Sequence, residues 1–439
     1  MFGYYLGLAL RSLRRNPVLT ALMIIAIAVG IGASMTMLTI FRAASGNPIP
    51  QKSSQLFVPQ IDNFGPQPNS LPQNQDRLPP DLTYTDALAL MRSHRAVRQA
   101  AMYATSLSII PPDPDQIPIQ VNARATYGDF FPMFQVPFEY GGPWSGAEDD
   151  AHAAVVVLTR ALNDRLFGGV NSIGRTLTIN DQPYRVIGVA GDWQPSPRFY
   201  DLGQDRYSGV DQLFLPFTRA IEQQMQTAEN FNCDAHGPGQ GWDGILHSNC
   251  IWIEFWAELP TGRDATGYRT FLHNYAADQR QNGRFHWPPH VALRDVAQWL
   301  AYNHVVPPTV STLTSISFAI LVVCLLNATG LMLAKFMARA GGVGVRRALG
   351  ANRPAIFAQC LVEAGVIGLA GGIIGVGLTK LGLVSSRPVL PEDFAVLTRL
   401  RGSDVLIAVA VAILAALLAG LYPTWRASQV EPARQLKAQ

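Results

Sequence analysis

Phosphate-binding glycine loops are missing from this chain: no GxxxxGKS/T motif occurs among its 439 residues, which closes the P-loop route to nucleotide binding. Charge is scarce as well. Charged residues make up 15% of the chain and the net charge is only +3, so a nucleic-acid surface is not indicated. No grouping of Ser, His, Cys or carboxylates has the spacing of nucleophilic or metal-dependent hydrolysis, and an enzyme is not expected. The carboxylates of the middle region are scattered in sequence, and Glu148-Asp149-Asp150 reads as a solvated turn. Cysteine is limited to four residues. Cys324 and Cys360 fall in apolar runs, where a thiol packs as a small apolar filler. Acidic residues are wholly absent between Lys335 and Arg353.

The apolar residues, 48% of the chain, are gathered into four blocks. These divide the sequence into an amphipathic helix (1–17), a first span (18–42), a large polar region (43–308), a second span (309–338), a basic turn (339–353), a third span (354–383), a short loop (384–403), a fourth span (404–425) and a tail (426–439). The run from Val18 to Phe41 is about 24 residues, enough to cross a bilayer and longer than a signal-peptide core. Arg42 closes it before any small-residue cleavage site, so it reads as an uncleaved anchor. Arg11, Arg14 and Arg15 precede the first span, Lys335 to Arg353 lie between the second and third, and Arg426, Arg434 and Lys437 follow the fourth. That bias gives one topology, with both termini in the cytoplasm and the large region outside. The fold class is a four-helix membrane protein carrying a large α+β outer domain.

Within the outer region, residues up to Pro80 are rich in Pro, Gln, Asn and Ser and read as an extended linker or a strand-and-loop lead-in. Thr83 to Arg95 has the pattern of a capped helix. Ala154–Leu158 is a buried strand and Arg160–Phe167 a short helix. Thr176–Val189 is a hairpin turning at Asn180-Asp181. Ile251–Leu259 and His290–Val296 read as strands, with a helix from Gly267 to Gln281 between them. Gln194–Asn249 reads as loop. Cys233 and Cys250 lie in this oxidising outer compartment, where a disulfide closing their loop is the first reading. The alternative is a zinc site, because Cys233-x2-His236 and His247-x2-Cys250 form a mirror-symmetric ligand set.

The inner basic turn carries Arg339, Val343, Gly344, Val345, Arg346, Arg347, Ala348, Leu349, Gly350, Ala351 and Arg353. Such residues set topology and meet anionic lipid, or they dock a partner. Glu363 lies more than two turns into the third span, where an acid must face protein, water or the interface. It belongs either to the interface with its basic residues or to a joint that passes movement to the spans. Two GxxxG spacings, Gly368 with Gly372 and Gly371 with Gly375, allow close helix approach between spans or between two subunits.

Asn327, Leu331, Leu333, Ala334, the run Val345–Ala351 and Glu363 resemble the core of the FtsX-like permease family, whose members include MacB-type efflux permeases and the LolC/LolE lipoprotein releasers. Where that family usually carries an acid before its arginine run, this chain has Gly341-Gly342-Val343-Gly344. The resemblance extends through Tyr127–Phe131, Val155–Leu158, Leu166–Gly169, Ile173–Leu177 and Tyr184–Val189, which look like the MacB-like periplasmic core, and through Gly420–Ala427 near the end. It implies a porter-like βαβ subdomain with an inserted subdomain between about Val136 and Asn249, in a bacterial inner-membrane protein. It also implies two copies of an ABC ATPase docked under the basic turn. ATP and magnesium would be held there, with no cofactor in this chain. A second permease, identical or paralogous, would complete a dimer, and a periplasmic adaptor and outer-membrane channel are further partners. The implied function is export of a peptide, antibiotic or other hydrophobic compound, with the first two spans carrying the movement. The alternatives are a signalling permease that activates a periplasmic partner such as a cell-wall hydrolase, and lipoprotein release.

Overall fold

The computed structural model describes residues 2–65, 77–112, 115, 117–203, 211–229, 231–234, 237–386 and 402–429. The chain forms two compact units, Gly46–Val305 and the pair of flanking segments Met1–Ser45 and Val306–Gln439. Most of the expected short loop at 384–403 and of the tail at 426–439 lies outside the described residues.

In the flanking unit the first span is Pro17–Ser45, the second Pro308–Met337, the third Arg353–Ser386 and the fourth Gly402–Ser428. All four are long and apolar enough to cross a membrane. A separate helix, Phe2–Arg15, precedes the first. Met23, Ile27, Ile31 and Met35 of the first span pack in one core with Leu321, Met332, Ile367, Ala412 and Ala416. Val18, Leu22, Ile25 and Val322 point outward and are exposed, as lipid-facing side chains must be. The glycines explain how closely the helices approach. A Cβ on Gly368 or Gly372 would meet Ala416 or Ala412 of the fourth span at 2.5 and 2.8 Å. One on Gly371 or Gly375 would meet Ile27 or Ile31 of the first span at 2.8 and 2.9 Å. Each GxxxG pair is thus spent on a neighbouring span of the same chain.

One expectation is corrected here. The stretch 339–353 is not a simple turn, because Ala340–Ala348 is helical. Three glycines in AGGVGVRRA argue against a helix on propensity, but the segment is closed by Gly350 at φ +97°, a left-handed residue just past the helix end of the kind that stops helices.

Among the described residues the central unit is built on eleven strands: β1 Leu56–Ile61, β2 Leu82–Thr83, β3 Arg98–Ile110, β4 Ile119–Thr126, β5 Phe138–Gly141, β6 Val155–Thr159, β7 Thr176–Ile179, β8 Gln182–Ala190, β9 Leu213–Pro216, β10 Ile251–Glu258 and β11 Val291–Asp295. The main path runs β11-β1-β10-β3-β4-β9-β6-β8-β5. Strand β3 joins its two halves: residues 98–102 pair with β10 and residues 103–109 with β4, both antiparallel. Strands β6 and β8 are parallel neighbours, and the helix Arg160–Phe167 lies on the crossover between them. Period-two alternation sends Tyr103 and Leu107 to one core and Ala100 and Met102 to the other. The run Val155–Leu158 is apolar throughout because Val156 and Leu158 face the first core and Val155 and Val157 the second. Asn180 and Asp181 both take positive φ, 46° and 61°, which the two-residue β7–β8 turn requires.

Two further expectations change. Gln194–Asn249 is not all loop: β9 sits between β4 and β6, and Gly241–Leu246 is a helix. Of the two readings of the stretch before Pro80, the strand-and-loop lead-in is the one found, since it holds β1, paired on both sides. Asp149 belongs to no solvated turn. It is buried, accepts from the Gly128 N–H at 2.9 Å and from Trp144 Nε1 at 2.7 Å, and burial pushes its carboxyl up to about 7.

Cys233 and Cys250 form a disulfide across 17 positions, beside a bridge in which the Ile251 N–H donates to the Asn232 carbonyl at 2.8 Å. The zinc reading therefore loses both of its thiolates. Of its other ligands, His236 lies outside the described residues, and His247 is exposed with Nδ1 3.3 Å from Asp243. Reducing the disulfide is expected to cost about 3 kcal/mol on the chain-entropy account, read as a lower midpoint for thermal unfolding with and without reductant.

Candidate functional site

The residues singled out between Arg339 and Glu363 meet at one end of the four-helix unit. Glu363 is buried at 2% exposure, eleven residues into the third helix. Its Oε1 lies 2.6 Å from Lys335 Nζ of the second span and 3.5 Å from Arg339 Nη1. The Ser12 hydroxyl, from the N-terminal helix, donates to the same oxygen. Arg339 Nη1 also bonds the Ser12 hydroxyl, and its Nη2 donates to the Ser12 carbonyl at 2.6 Å. Lys335 Nζ donates to Thr20 Oγ1 of the first span at 3.1 Å. One carboxylate therefore ties together the N-terminal helix, three spans and the start of the short helix Ala340–Ala348.

This network satisfies what the membrane interior demands. A lone acid there is expensive, whereas one paired with a cation and saturated by hydrogen bonds is tolerated. Of the two readings of Glu363, the contact with basic residues is seen, with the carboxylate buried between Lys335 and Arg339. Ser12 and Thr20 were not legible in sequence, since nothing distinguishes one hydroxyl among many in a helix. Lys335 carried a signal, because opposite charges in adjacent apolar runs seek each other.

The short helix presents a different surface. Val345 is 52% and Leu349 83% exposed, one helical turn apart and therefore on one face. Arg346 and Arg353 are exposed beside them, and Arg347 is half-buried. Arg346 Nη1 donates to Gln359 Oε1 at 2.9 Å, and Gly344 is buried. The side chain of Ala348 lies outside the described residues. A cleft of about 560 Å³ opens alongside, lined by Arg11, Ser12, Arg15, Arg339, Val343, Arg346 and Gln359 among others. The arrangement suits capture of a partner that offers acidic and apolar groups together.

Two family models match the chain. The MacB-like periplasmic core domain covers residues 20–253 and the FtsX-like permease C-terminal domain residues 314–432. Among curated relatives, the macrolide export ATP-binding/permease protein MacB of Azoarcus sp. (strain BH72) is 24% identical over 97% of this chain and 58% of its own length. The Salmonella paratyphi A protein of the same name is 23% identical over 86% and 52%. That of Escherichia coli (strain K12) is 22% identical over 89% and 54%. The chain spans about half the length of the curated relatives it matches. Among solved structures, the periplasmic region of MacB from Actinobacillus actinomycetemcomitans aligns at 15% identity over 58% of this chain and 94% of that one, with a TM-score of 0.36. The extracellular domain of the Gram-positive transporter YknZ aligns at 11% identity over 54% and 100%, with a TM-score of 0.33.

Proposed function

This chain belongs to the FtsX-like and MacB-like permease family of ABC transporters, a multi-pass inner-membrane protein with a periplasmic domain, and from that membership we propose that it passes ATP-driven movement from a partner ATPase to its periplasmic domain. The observation that carries the reading is the short helix Ala340–Ala348. Its outer face offers Val345 and Leu349 between arginines, while its first turn is joined through Arg339 and Glu363 to the N-terminal helix and the spans. A push on that helix reaches a buried ionic joint before it reaches lipid. ATP and magnesium are assigned to the partner, and the matched relatives are named for macrolide export. For this chain the substrate class proposed is a peptide, antibiotic or other hydrophobic compound, extruded from the periplasmic side. A dimer of permeases, with adaptor and outer channel, completes the assembly.

The test is purification of the chain from its native membrane in mild detergent. An ABC ATPase is expected in stoichiometric amount, and Arg346→Glu with Arg347→Glu should reduce its recovery at least tenfold, equivalent to about 1.4 kcal/mol of binding. Both substitutions lie on a short helix away from the span core, so the permease itself should still be recovered. Unchanged ATPase recovery with the doubly reversed charge would overturn the docking surface. Recovery of a hydrolase or a lipoprotein with the ATPase, and no adaptor, would replace export by signalling or release.

A further inference from the structure

A second site lies in the central unit, far in sequence from everything used above. Four carboxylates, Asp201, Asp211, Glu229 and Glu254, converge there on two arginines, and Asp81 lies near enough to feel the charge of Asp201 and Glu229, so these outer acids are not scattered in space. Arg124, fully buried, donates through Nε to Asp211 at 2.7 Å and through Nη1 to Glu254 at 3.4 Å, and also binds Asp201. Its Nη2 lies 3.6 Å from Glu229. Arg198 binds Asp201 and lies 3.5 Å from Glu229. Oxygen atoms of Asp201, Glu229 and Glu254 fall within 4.8 Å of one another. Among the described residues, five acids against Arg124, Arg198 and the nearby Arg77 leave at least two carboxyls without a full counter-charge. Burial at such a site favours the neutral acid unless a cation arrives.

The surplus acids border a cavity of about 190 Å³. Asp81, Glu229 and Glu254 form its charged side, while Tyr200, Trp256 and Trp299 supply aromatic walls. Arg77 stands at the rim, its guanidinium 5.4 Å from the centre of the Tyr302 ring. Trp252 also lines the cavity. It is buried at 3% exposure, and its Nε1–H meets no acceptor among the described residues. A buried donor without an acceptor is costly and uncommon in folded proteins, so an oxygen-bearing ligand beside it would remove a real penalty.

We propose that this cavity binds an organic cation, with one alkylammonium group seated against Asp81, Glu229 and Glu254 between aromatic walls and a neighbouring oxygen of the ligand accepting from Trp252. The chemistry discriminates against a bare metal ion. Calcium and magnesium require a shell of oxygens, whereas aromatic faces favour a weakly hydrated ammonium. The volume is below that of drug-sized sites, so it takes a side-chain-sized group. Desolvation followed by repulsion from Asp201 and Glu229 pushes Asp81 up to about 7. Glu229 is also pushed up to about 7, chiefly by burial, and burial drives Glu254 up as well. Asp201 feels the same burial, but Arg124 and Arg198 hold it well below the usual range. An ammonium must displace the protons of the raised acids, so affinity should increase with pH through about 7.

The inference rests on the cavity alone and holds whether the chain exports or signals. The full chain in detergent micelles would be titrated calorimetrically with 4-amino-1-butanol, with its neutral N-acetyl derivative, and with calcium and magnesium salts. Saturable binding of the amine, at least tenfold tighter at pH 8 than at pH 6 and absent for the N-acetyl form, is expected. The pair Asp81→Asn and Glu229→Gln should weaken it at least tenfold, and these near-isosteric changes remove repulsion and spare the fold. Equal binding of the neutral derivative, binding of the metals alone, or no saturable binding by the unmodified chain would each overturn the proposal.

Discussion

Glu363→Ala is expected to destabilise the helical unit by about 3–5 kcal/mol, the range for breaking a buried ion pair from one side, and to uncouple ATP hydrolysis from the periplasmic domain. The substitution removes the acceptor of Lys335, Arg339 and Ser12 together. It leaves Lys335, whose side chain has no exposure, as a buried cation bonded to Thr20. Thermal unfolding of the detergent-solubilised chain reads the stability term. The double variant Lys335→Met with Glu363→Leu separates stability from coupling, because replacing a whole buried pair by packed apolar groups is often neutral or stabilising. That variant should regain most of the lost midpoint and yet remain uncoupled, with ATPase bound and transport absent. If the double variant transports normally, Glu363 is a packing element and the joint is elsewhere. A single variant within 1 kcal/mol of the parent would show that the network is not buried as described.

Arg124→Met should cost the central unit a comparable amount, again about 3–5 kcal/mol, because four carboxylates lose the guanidinium that neutralises them. The pH dependence makes this specific. In the parent, Asp201 sits well below its ordinary range because Arg124 and Arg198 outweigh its burial. Its contribution to stability is therefore present above the unfolded-state value near 3.8 and lost as pH falls toward the folded value. Glu229 and Glu254 are already raised with Arg124 lowering them, and without it they rise further, so the variant gains more stability than the parent as pH falls through the neutral range. The deficit should be largest at pH 8 and shrink steadily toward pH 5. Thermal unfolding followed through the aromatic signal, at several pH values, gives the result. A pH-independent deficit would point to lost packing against Tyr200, whose ring centre lies 5.2 Å from the Arg124 guanidinium.

Much of the architecture was written locally. Twenty-residue apolar runs announce spans because hydrocarbon leaves the backbone no partner but itself. The Asn180-Asp181 turn, the Arg160–Phe167 helix and the alternating strands follow from backbone preference and periodicity. The helix Ala340–Ala348 escaped, since propensity in a glycine-rich segment is weak and its neighbours decide. Strand β9 escaped for a related reason: it takes partners remote in sequence, and a short polar-flanked run carries no sign of them.

At the inner site, Arg339, Arg346 and Glu363 stood out by charge in an apolar setting. Their bonding did not, because Ser12 and Lys335 approach Glu363 only when three helices pack. The outer cluster is the extreme case, with Asp81, Arg124, Asp201, Glu229 and Glu254 separated by long stretches of chain and unremarkable one by one. Sequence alone determined the spans, the inner basic segment and the family, because hydropathy, charge sign and short motifs are properties of neighbouring residues. Tertiary structure decided which buried charges share a site, because the cost of burying a charge depends on what the fold brings beside it.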